Sequence, residues 1–488
     1  MQTQPTELLA HELSQLIHQR QISCREVMQA FLKRIAAVNP TFNAIVSLQD
    51  PDGLLRQADE RDAQLSRGES MGWMHGIPQA IKDLSATRGI RTTMGSPLMS
   101  ANVPSRDCVM VERMKGAGAL IIGKTNTPEF GLGSQTYNTV FGITRNAWNA
   151  ALCAGGSSGG SAVALAQRML PVADGSDMMG SLRNPAAYNN VFGFRPSQGR
   201  VPYAPAQDLY VAQLGIEGPM GRSVRDVALL LGTQAGWDAR APLSIGQDGS
   251  AFDKPLDPNV AGQRIAWLGD LRGYLAMEPG ILELCEQGLR RLETLGCAVE
   301  PIPLGFSPEK VWDTWLVWRS WLVAGNLSPF HADPSLWARL KPEAQWEAQK
   351  GMNLSGSEVY AASVARSAFY QHLLTLFEHH DFLALPTAQV WPFDANIHWP
   401  KSVNGRPMDT YHRWMEVSIY ATLGGLPAMN VPVGFNAQGL PMGVQLIGRP
   451  QADLEVLRLA AAYEQTLGEL LARRPAEVSA PPAPSSKR

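Results

Sequence analysis

The sequence has few of the features that mark secreted, membrane-bound or nucleic-acid-binding proteins. Its 488 residues include five cysteines, an odd number without a CxxC pair, so neither a disulfide framework nor a zinc site is expected. The formal net charge is -2 and no long Lys/Arg run occurs, which removes the electrostatic basis for nucleic-acid binding. No apolar run approaches the ~20 residues of a membrane helix. Residues 1–7 are polar and lack a signal-peptide core. We therefore expect a cytoplasmic protein that binds neither nucleic acid nor membrane.

The order of apolar patterns along the chain indicates an α/β protein. Two helices are predicted between residue 6 and about residue 38, with Ser23 capping the second helix and Pro40 ending it. The patterns that follow predict helices over 109–116, 161–170 and about 279–295, and strands over 119–122, 170–173, 262–268 and 298–302. Such alternation is typical of α/β folds, and the length allows one large domain or two.

Between about residue 311 and residue 414 the sequence changes character. Nine of the thirteen tryptophans lie there, including Trp312, Trp315, Trp318 and Trp321 at successive steps of three. They could form an aromatic wall over a substrate, or a helix face packed on the core, where large aromatic side chains are common. Residues 473–488 are rich in Pro, Ala and Ser, which predicts a disordered tail.

The first segment that suggests chemistry is the Gly/Ser loop Ala-Gly-Gly-Ser-Ser-Gly-Gly-Ser at 154–161. Ser157 and Ser158 each stand in the G-x-S-x-G frame of a hydrolase nucleophile elbow. Residues 146–154 contain no β-branched residue to form the preceding strand, and no histidine occurs between His75 and His331. The loop also lacks the G-K-[ST] ending of a phosphate-binding loop. Cys153, next to the loop, is better explained as a small buried thiol than as a nucleophile.

A second serine loop and a lone lysine complete the set of candidates. The loop is Asp-Met-Met-Gly-Ser-Leu-Arg at 177–183, and Lys82 follows the apolar run 77–81. A serine hydroxyl needs a base to take its proton, and a desolvated lysine can be that base because burial lowers its pKa. The three segments therefore suggest serine chemistry with a lysine base. As an alternative, Lys82 could be a solvated surface residue, and Asp83 could make a simple ion pair.

Several segments, in this order, resemble the amidase signature family, which includes fatty acid amide hydrolase, malonamidase and the A subunit of glutamyl-tRNA amidotransferase. The resemblance covers nearly the whole chain, and its segments are 76–83, 123–130, 142–146, 155–161, 180–193, 424–428 and 439–448. It implies an α/β fold with a large twisted mixed sheet covered by helices on both faces. It also implies a single domain over 1–472, in which the tryptophan-rich insertion 311–414 forms part of the substrate pocket.

The resemblance assigns roles to individual residues. Ser181 would be the nucleophile, Ser157 the bridging serine and Lys82 the base, with a cis peptide bond between Gly156 and Ser157. The backbone N–H groups expected to bind the oxyanion are those of Met178, Met179, Gly180 and Ser181. The residues expected to support the two loops are Ser158, Asp177 and Arg183.

The implied activity is hydrolysis of a small-molecule carboxylic amide through an acyl-enzyme, without cofactor or metal, and esters should also react. Dimers are common in the family, so a homodimer is a further expectation. The aromatic residues and the Met178-Met179 pair suggest an aryl or aliphatic amide. The alternative is one component of a glutamine-dependent amidotransferase. Met179 stands where relatives usually carry glycine and Ala154 where they carry proline, so a homologue of altered activity is a further alternative.

Overall fold

The computed structural model describes residues 4–476 as a mixed α/β protein. The α-helices of these residues are α1 Ala10–His18, α2 Cys24–Phe42, α3 Pro51–Ser66, α4 Val109–Gly116, α5 Gly159–Ala166, α6 Arg183–Asn189, α7 Val224–Gln234, α8 Ile281–Thr294, α9 Pro308–His331, α10 Pro334–Trp337, α11 Pro342–Met352, α12 Gly356–Phe377, α13 Ile419–Leu423, α14 Asp453–Glu464 and α15 Gly468–Ala472. Short 3-10 helices cover Pro5–Glu7, Pro97–Met99, Glu129–Gly131, Gly249–Phe252 and Arg413–Ser418. Most of the predicted tail, residues 477–488, lies outside the described residues.

The strands form one large sheet and three small ones. They are β1 Ile45–Val46, β2 Pro78–Lys82, β3 Leu120–Thr125, β4 Tyr137–Asn138, β5 Gly142–Ile143, β6 Val172–Asp177, β7 Phe192–Arg195, β8 Ile216–Gly221, β9 Arg264–Trp267, β10 Ala298–Pro301, β11 Phe382–Pro386, β12 Ser402–Val403, β13 Arg406–Pro407, β14 Ala428–Phe435 and β15 Pro441–Gly448. The large sheet has eight strands in the order β10-β9-β11-β15-β14-β7-β8-β6. The three strands β10, β9 and β11 are parallel and the remaining pairs are antiparallel, so the predicted mixed sheet is confirmed.

Helices cover the large sheet, and the buried core lies between these helices and the sheet. Helices α6, α7, α8 and α14 pack against its strands. A small sheet of order β1-β3-β2 lies at the β6 edge, where β2 packs against β6. This packing brings the end of β2, at Lys82, next to β6.

The first two predicted helices are present, but the second ends later than expected. Ser23 caps α2 through its hydroxyl, which accepts a hydrogen bond from the Glu26 N–H, and the Glu26 carboxylate accepts one from the Ser23 N–H. Pro40 does not end the helix, which continues to Phe42. The helix stops at Asn43, whose φ of 51° is the left-handed conformation that commonly follows a helix.

The helix predicted over 161–170 starts and ends earlier, as α5. Its first residues, Gly159 and Gly160, pack against neighbouring segments at distances that no side chain would allow. A Cβ on Gly159 would lie 2.3 Å from Thr136 Oγ1, and one on Gly160 would lie 2.3 Å from the Asn126 nitrogen. The glycines of the first loop therefore permit close packing of the helix start, without any need for a bound phosphate.

Most of the tryptophan-rich part of the chain folds into helices α9 to α12, where α11 and α12 pack against α9, and the remainder contains β11, β12 and β13. Three tryptophans of α9, Trp312, Trp315 and Trp318, are buried in the main hydrophobic core. They therefore pack on the core, the second of the two interpretations of their spacing. No helix of the described residues is long and apolar enough to cross a membrane.

Candidate active site

Lys82 is the last residue of β2, and its side chain is fully buried. Its Nζ lies 2.8 Å from Ser157 Oγ, 2.8 Å from Ser158 Oγ and 3.0 Å from Ser176 Oγ. Burial lowers the pKa of Lys82 to about 7, although the carboxylates of Asp174, Asp177 and Glu217 act in the opposite direction. Lys82 is thus not a solvated surface residue, and its amine is half neutral near pH 7.

The first Gly/Ser loop holds Ser157 and Ser158 over this amine. The peptide bond from Gly156 to Ser157 is cis, as the family resemblance implies. The loop is anchored on both sides, because the Thr136 hydroxyl donates to the Gly155 carbonyl at 2.8 Å and the Gly156 N–H donates to Asn184 Oδ1 at 3.3 Å. The structure therefore places Ser157 and Ser158 in contact with the same nitrogen.

Ser181 follows β6, in the second serine loop. Its carbonyl accepts a hydrogen bond from the Ser158 N–H at 3.1 Å, which joins the two loops. Ser181 is 7% exposed and so lies just below the surface. Within residues 4–476, the Ser181 hydroxyl makes no hydrogen bond, whereas Ser157 contacts Lys82 directly. The hydrogen bond between Lys82 and Ser157 is thus formed, whereas the described residues show none between the side chains of Ser157 and Ser181.

The backbone of residues 178–181 differs in one respect from the predicted oxyanion site. The Gly180 N–H donates to Asp177 Oδ1 at 2.9 Å and is therefore turned toward that carboxylate, contrary to prediction. The N–H groups of Met178, Met179 and Ser181 donate to no acceptor within the described residues. These three N–H groups therefore have no partner in the described part of the chain, and their role as oxyanion donors stays a prediction.

Met179 fits the position at which a glycine was expected. Among residues 178–181 a positive φ occurs only at Gly180, with a value of 84°, so the Met179 backbone needs no glycine. The Met179 side chain is 2% exposed and lies in the main core. This substitution therefore leaves the backbone of the loop unstrained.

A buried ion pair between Asp177 and Arg183 holds the second serine loop in place. Arg183 Nε and Nη2 donate to the two Asp177 oxygens at 3.0 and 2.9 Å, and all these atoms are buried. Burial alone would raise the pKa of Asp177, but the Arg183 and Arg195 guanidinium groups outweigh it and hold the pKa well below its usual range. Asp177 also accepts the N–H of Leu182 at 3.2 Å, so one carboxylate fixes the turn around Ser181.

Several buried charged side chains lie close to Lys82 and were not predicted from the sequence. Asp174 accepts the Lys82 backbone N–H at 3.1 Å, and Ser176 faces Glu217 across the β6–β8 pair. Burial raises the pKa of Glu217 to about 7, while the Ser85 hydroxyl donates to it at 2.5 Å. Burial likewise lowers the pKa of Lys124 to about 8. No short motif joins these residues, because they meet through strand pairing.

Arg319, on α9, is a further residue that sequence reasoning missed. Its Nη1 lies 3.7 Å from Met178 Sδ, in the loop expected to bind the oxyanion. Its Nε donates to Glu347 at 2.5 Å and its Nη2 to the Tyr411 hydroxyl at 2.7 Å, with all three side chains buried. The only sign of Arg319 in the sequence was an arginine inside a segment rich in tryptophan.

Cys153 is fully buried, and burial raises its pKa to about 12, as expected for a small thiol in the core.

Comparisons with known proteins show the family of the chain. The model of the family described as Amidase matches residues 26–457. The chain belongs to the amidase family. It is 34% identical over 472 residues to an acylamidase of Rhodococcus erythropolis, covering 94% of this chain and 95% of that protein. It is also 34% identical over 479 residues to the A subunit of the glutamyl-tRNA(Gln) amidotransferase of Thermosynechococcus vestitus, covering 93% and 97%.

Solved structures of the same family share the fold of this amidase. A bacterial aryl acylamidase superposes with a TM-score of 0.88 at 29% identity, covering 96% of this chain and 99% of its own. A peptide amidase from Stenotrophomonas maltophilia superposes with a TM-score of 0.78 at 28% identity, covering 96% and 98%. The chain is thus an amide-hydrolysing enzyme of the amidase family, with the large mixed sheet that the resemblance implied.

Proposed function

We propose that this amidase cleaves aryl or aliphatic carboxylic amides through an acyl-enzyme on Ser181, with Ser157 and Lys82 as the proton relay. The observation that carries the proposal is the fully buried Lys82 amine, 2.8 Å from the Ser157 hydroxyl. An amine with a pKa of about 7 is a competent base near neutral pH.

The first half of the reaction forms the acyl-enzyme. Neutral Lys82 takes the Ser157 proton, Ser157 takes the Ser181 proton, and Ser181 Oγ bonds to the carbonyl carbon. The carbonyl π electrons move onto oxygen, where the N–H groups of Met178, Met179 and Ser181 receive the negative charge. Oxyanion donors contribute ~2.7–4 kcal/mol each. The open Ser157–Ser181 contact closes with substrate in place, since catalytic hydrogen bonds often tighten in the substrate complex.

The second half releases the products. The Lys82 ammonium returns its proton to Ser157, which passes one to the substrate nitrogen, and the C–N bond breaks to give the free amine. Water then attacks the Ser181 ester and loses a proton to Ser157 along the same relay. The C–O bond to Ser181 then breaks, the Lys82 ammonium returns its proton through Ser157 to Ser181 Oγ, and the carboxylic acid leaves. Esters follow the same steps with an alcohol as the leaving group.

Apolar and aromatic groups near the second loop support the substrate class. Met178 packs against the core with its side chain partly exposed, and Tyr411 lies over Arg319. Arg319 is paired with Glu347 and is therefore not free to bind a substrate carboxylate. These features favour an uncharged acyl group.

A fluorophosphonate probe tests the assignment without knowledge of the substrate. We expect Ser181→Ala to abolish labelling and amide turnover, and Lys82→Met and Ser157→Ala to lower both by ~10²–10⁴-fold. Ser367→Ala, at an exposed serine of α12, is the control and should match wild type. Wild-type turnover in folded Ser181→Ala would refute the proposal.

The second candidate is one component of a glutamine-dependent amidotransferase, and it is favoured by the relative of that name at the same 34% identity. It predicts glutaminase activity that appears only with a co-purifying partner enzyme. Amide hydrolysis by the purified chain alone, lost in Ser181→Ala, would decide for the first candidate.

A further inference from the structure

A cleft of about 300 Å³ lies at the far ends of the two helices that follow the serine loops. Ala166, the last residue of α5, and Asn189, the last residue of α6, both line it. Helices α5 and α6 begin within the serine loops, so the length of a helix separates the cleft from the candidate active site. The cleft has room for a small organic molecule.

Four buried polar atoms of residues that line this cleft make no hydrogen bond within residues 4–476. They are Trp148 Nε1, Arg168 Nε, Asn190 Oδ1 and Arg222 Nε. Arg168 and Arg222 are each 8% exposed, so both arginines are more than nine-tenths buried. A buried polar atom without a partner costs ~1–3 kcal/mol. Three of the four atoms are N–H donors, which indicates a ligand that brings hydrogen-bond acceptors.

Backbone carbonyls hold the two buried arginines in place. Arg222 donates from Nη1 to the Glu7 carbonyl at 3.2 Å and from Nη2 to the Leu8 carbonyl. Arg168 donates from Nη1 to the Leu165 carbonyl at 3.5 Å. Because these acceptors are neutral, they fix both side chains without cancelling their charge.

Positive charge exceeds negative charge around the cleft. The charged residues that line it are Arg168, Arg222, Arg473, Arg474, Glu7 and Glu464. Glu7 Oε2 lies 3.0 Å from Arg474 Nη2 and 3.5 Å from Arg168 Nε, but the Glu7 side chain is 42% exposed, so solvent weakens both ion pairs. Burial raises the pKa of Glu464 to about 7, although its carboxylate accepts the Val224 N–H at 3.1 Å. The cleft therefore favours an anion.

Apolar side chains complete the lining of the cleft. They include Leu9, Val191 and Leu471. The Trp148 ring packs edge-on against Phe435, with ring centroids 4.6 Å apart. An inorganic anion would leave these apolar groups uncovered, whereas the hydrocarbon part of an organic anion would bury them.

We propose that this cleft is a second ligand site and that it binds a small organic carboxylate. The carboxylate accepts the N–H groups of Arg222 Nε, Arg168 Nε and Trp148 Nε1, and the hydrocarbon part lies against Leu9 and Leu471. The inference does not depend on the proposed function, since none of these residues belongs to the proposed proton relay.

Calorimetry with matched ligands tests the assignment. We would titrate the full chain with hexanoate, with hexan-1-ol as the uncharged analogue, and with inorganic phosphate as an anion without a hydrocarbon chain. We expect saturable binding of hexanoate, about tenfold tighter than that of either analogue. Trp148→Phe removes the indole N–H but keeps an aromatic ring, and should weaken hexanoate binding about fivefold. Arg222→Gln should weaken it about tenfold or more, because it removes a charged donor. Arg106→Gln, at an exposed position, is the control and should match wild type.

The Ser181→Ala protein separates this cleft from the candidate active site. It should bind hexanoate as wild type does, and loss of binding in that variant would place hexanoate near Ser181 and overturn the inference. Absence of hexanoate binding, or binding that neither Trp148→Phe nor Arg222→Gln weakens, would also overturn it. Phosphate binding as tight as that of hexanoate would overturn the organic ligand class. Should Arg222→Gln not fold, the result for Trp148→Phe decides. Failure of amide cleavage or of Ser181 labelling would count against the proposed function alone.

Discussion

The burial of Lys82 predicts the pH dependence of the enzyme. At the usual lysine pKa of 10.5, only ~0.03% of the amine would be neutral at pH 7, whereas a pKa of about 7 makes about half of it neutral. Burial thus increases the neutral fraction of the amine by about three orders of magnitude at pH 7. The base must be neutral to act, so activity rises with pH through the folded-state pKa of Lys82.

The rate of fluorophosphonate labelling at Ser181 measures this dependence directly. We expect the labelling rate to rise with pH along a sigmoidal limb whose midpoint lies near pH 7, with ~10% of the plateau rate at pH 6 and ~1% at pH 5. Lys82→Arg should lose both the activity and the limb, because a guanidinium stays protonated. Circular dichroism at each pH controls for unfolding. A labelling rate that stays flat from pH 5 to 8 in the folded enzyme would refute the reasoning.

Three further predictions concern the surroundings of the site. Asp177→Asn should lower the free energy of unfolding by ~3–5 kcal/mol in urea titration, because it leaves the buried Arg183 unpaired; an unchanged midpoint would contradict this. Glu217→Gln should move the labelling limb to lower pH by less than ~1 pH unit, because its carboxylate raises the pKa of Lys82; disappearance of the limb would instead assign it to Glu217. Ser23→Ala should cost ~1 kcal/mol in the same titration and leave labelling unchanged, since Ser23 caps α2.

The sequence predicted Lys82 and Ser157, whose side chains are in contact, and Ser181, whose loop is joined to the first by the hydrogen bond from the Ser158 N–H to the Ser181 carbonyl. Lys82, Ser157 and Ser181 each lie in a short segment whose composition is unusual, and the order of these segments identifies the family. Apolar patterns predicted five of the fifteen α-helices of the described residues, namely α1, α2, α4, α5 and α8, since such patterns depend on neighbouring residues. The mixed sheet followed from the family resemblance instead.

The missed features depend on the path of the backbone through space. Glu217 comes close to the base because it pairs with Ser176 across two strands. The Gly180 N–H was expected to bind the oxyanion, but the turn after β6 directs it to Asp177. The contact between Arg319 and Met178 joins residues 141 positions apart. Neither periodicity nor local motifs report such contacts.

The contact between Arg319 and Met178 limits how the substrate range of the enzyme can change. The reactive groups come from segments before residue 184, whereas α9, α11 and the segment around Tyr411 belong to the later part of the chain. Helices α9 to α12, residues 308–377, end before β11 enters the large sheet, so we expect them to be exchangeable between relatives as a unit, giving a new specificity around unchanged chemistry. Such a graft must preserve the fit between position 319 and Met178. A mismatch there would displace the loop 178–181, which we propose binds the oxyanion, and would lower kcat for every substrate.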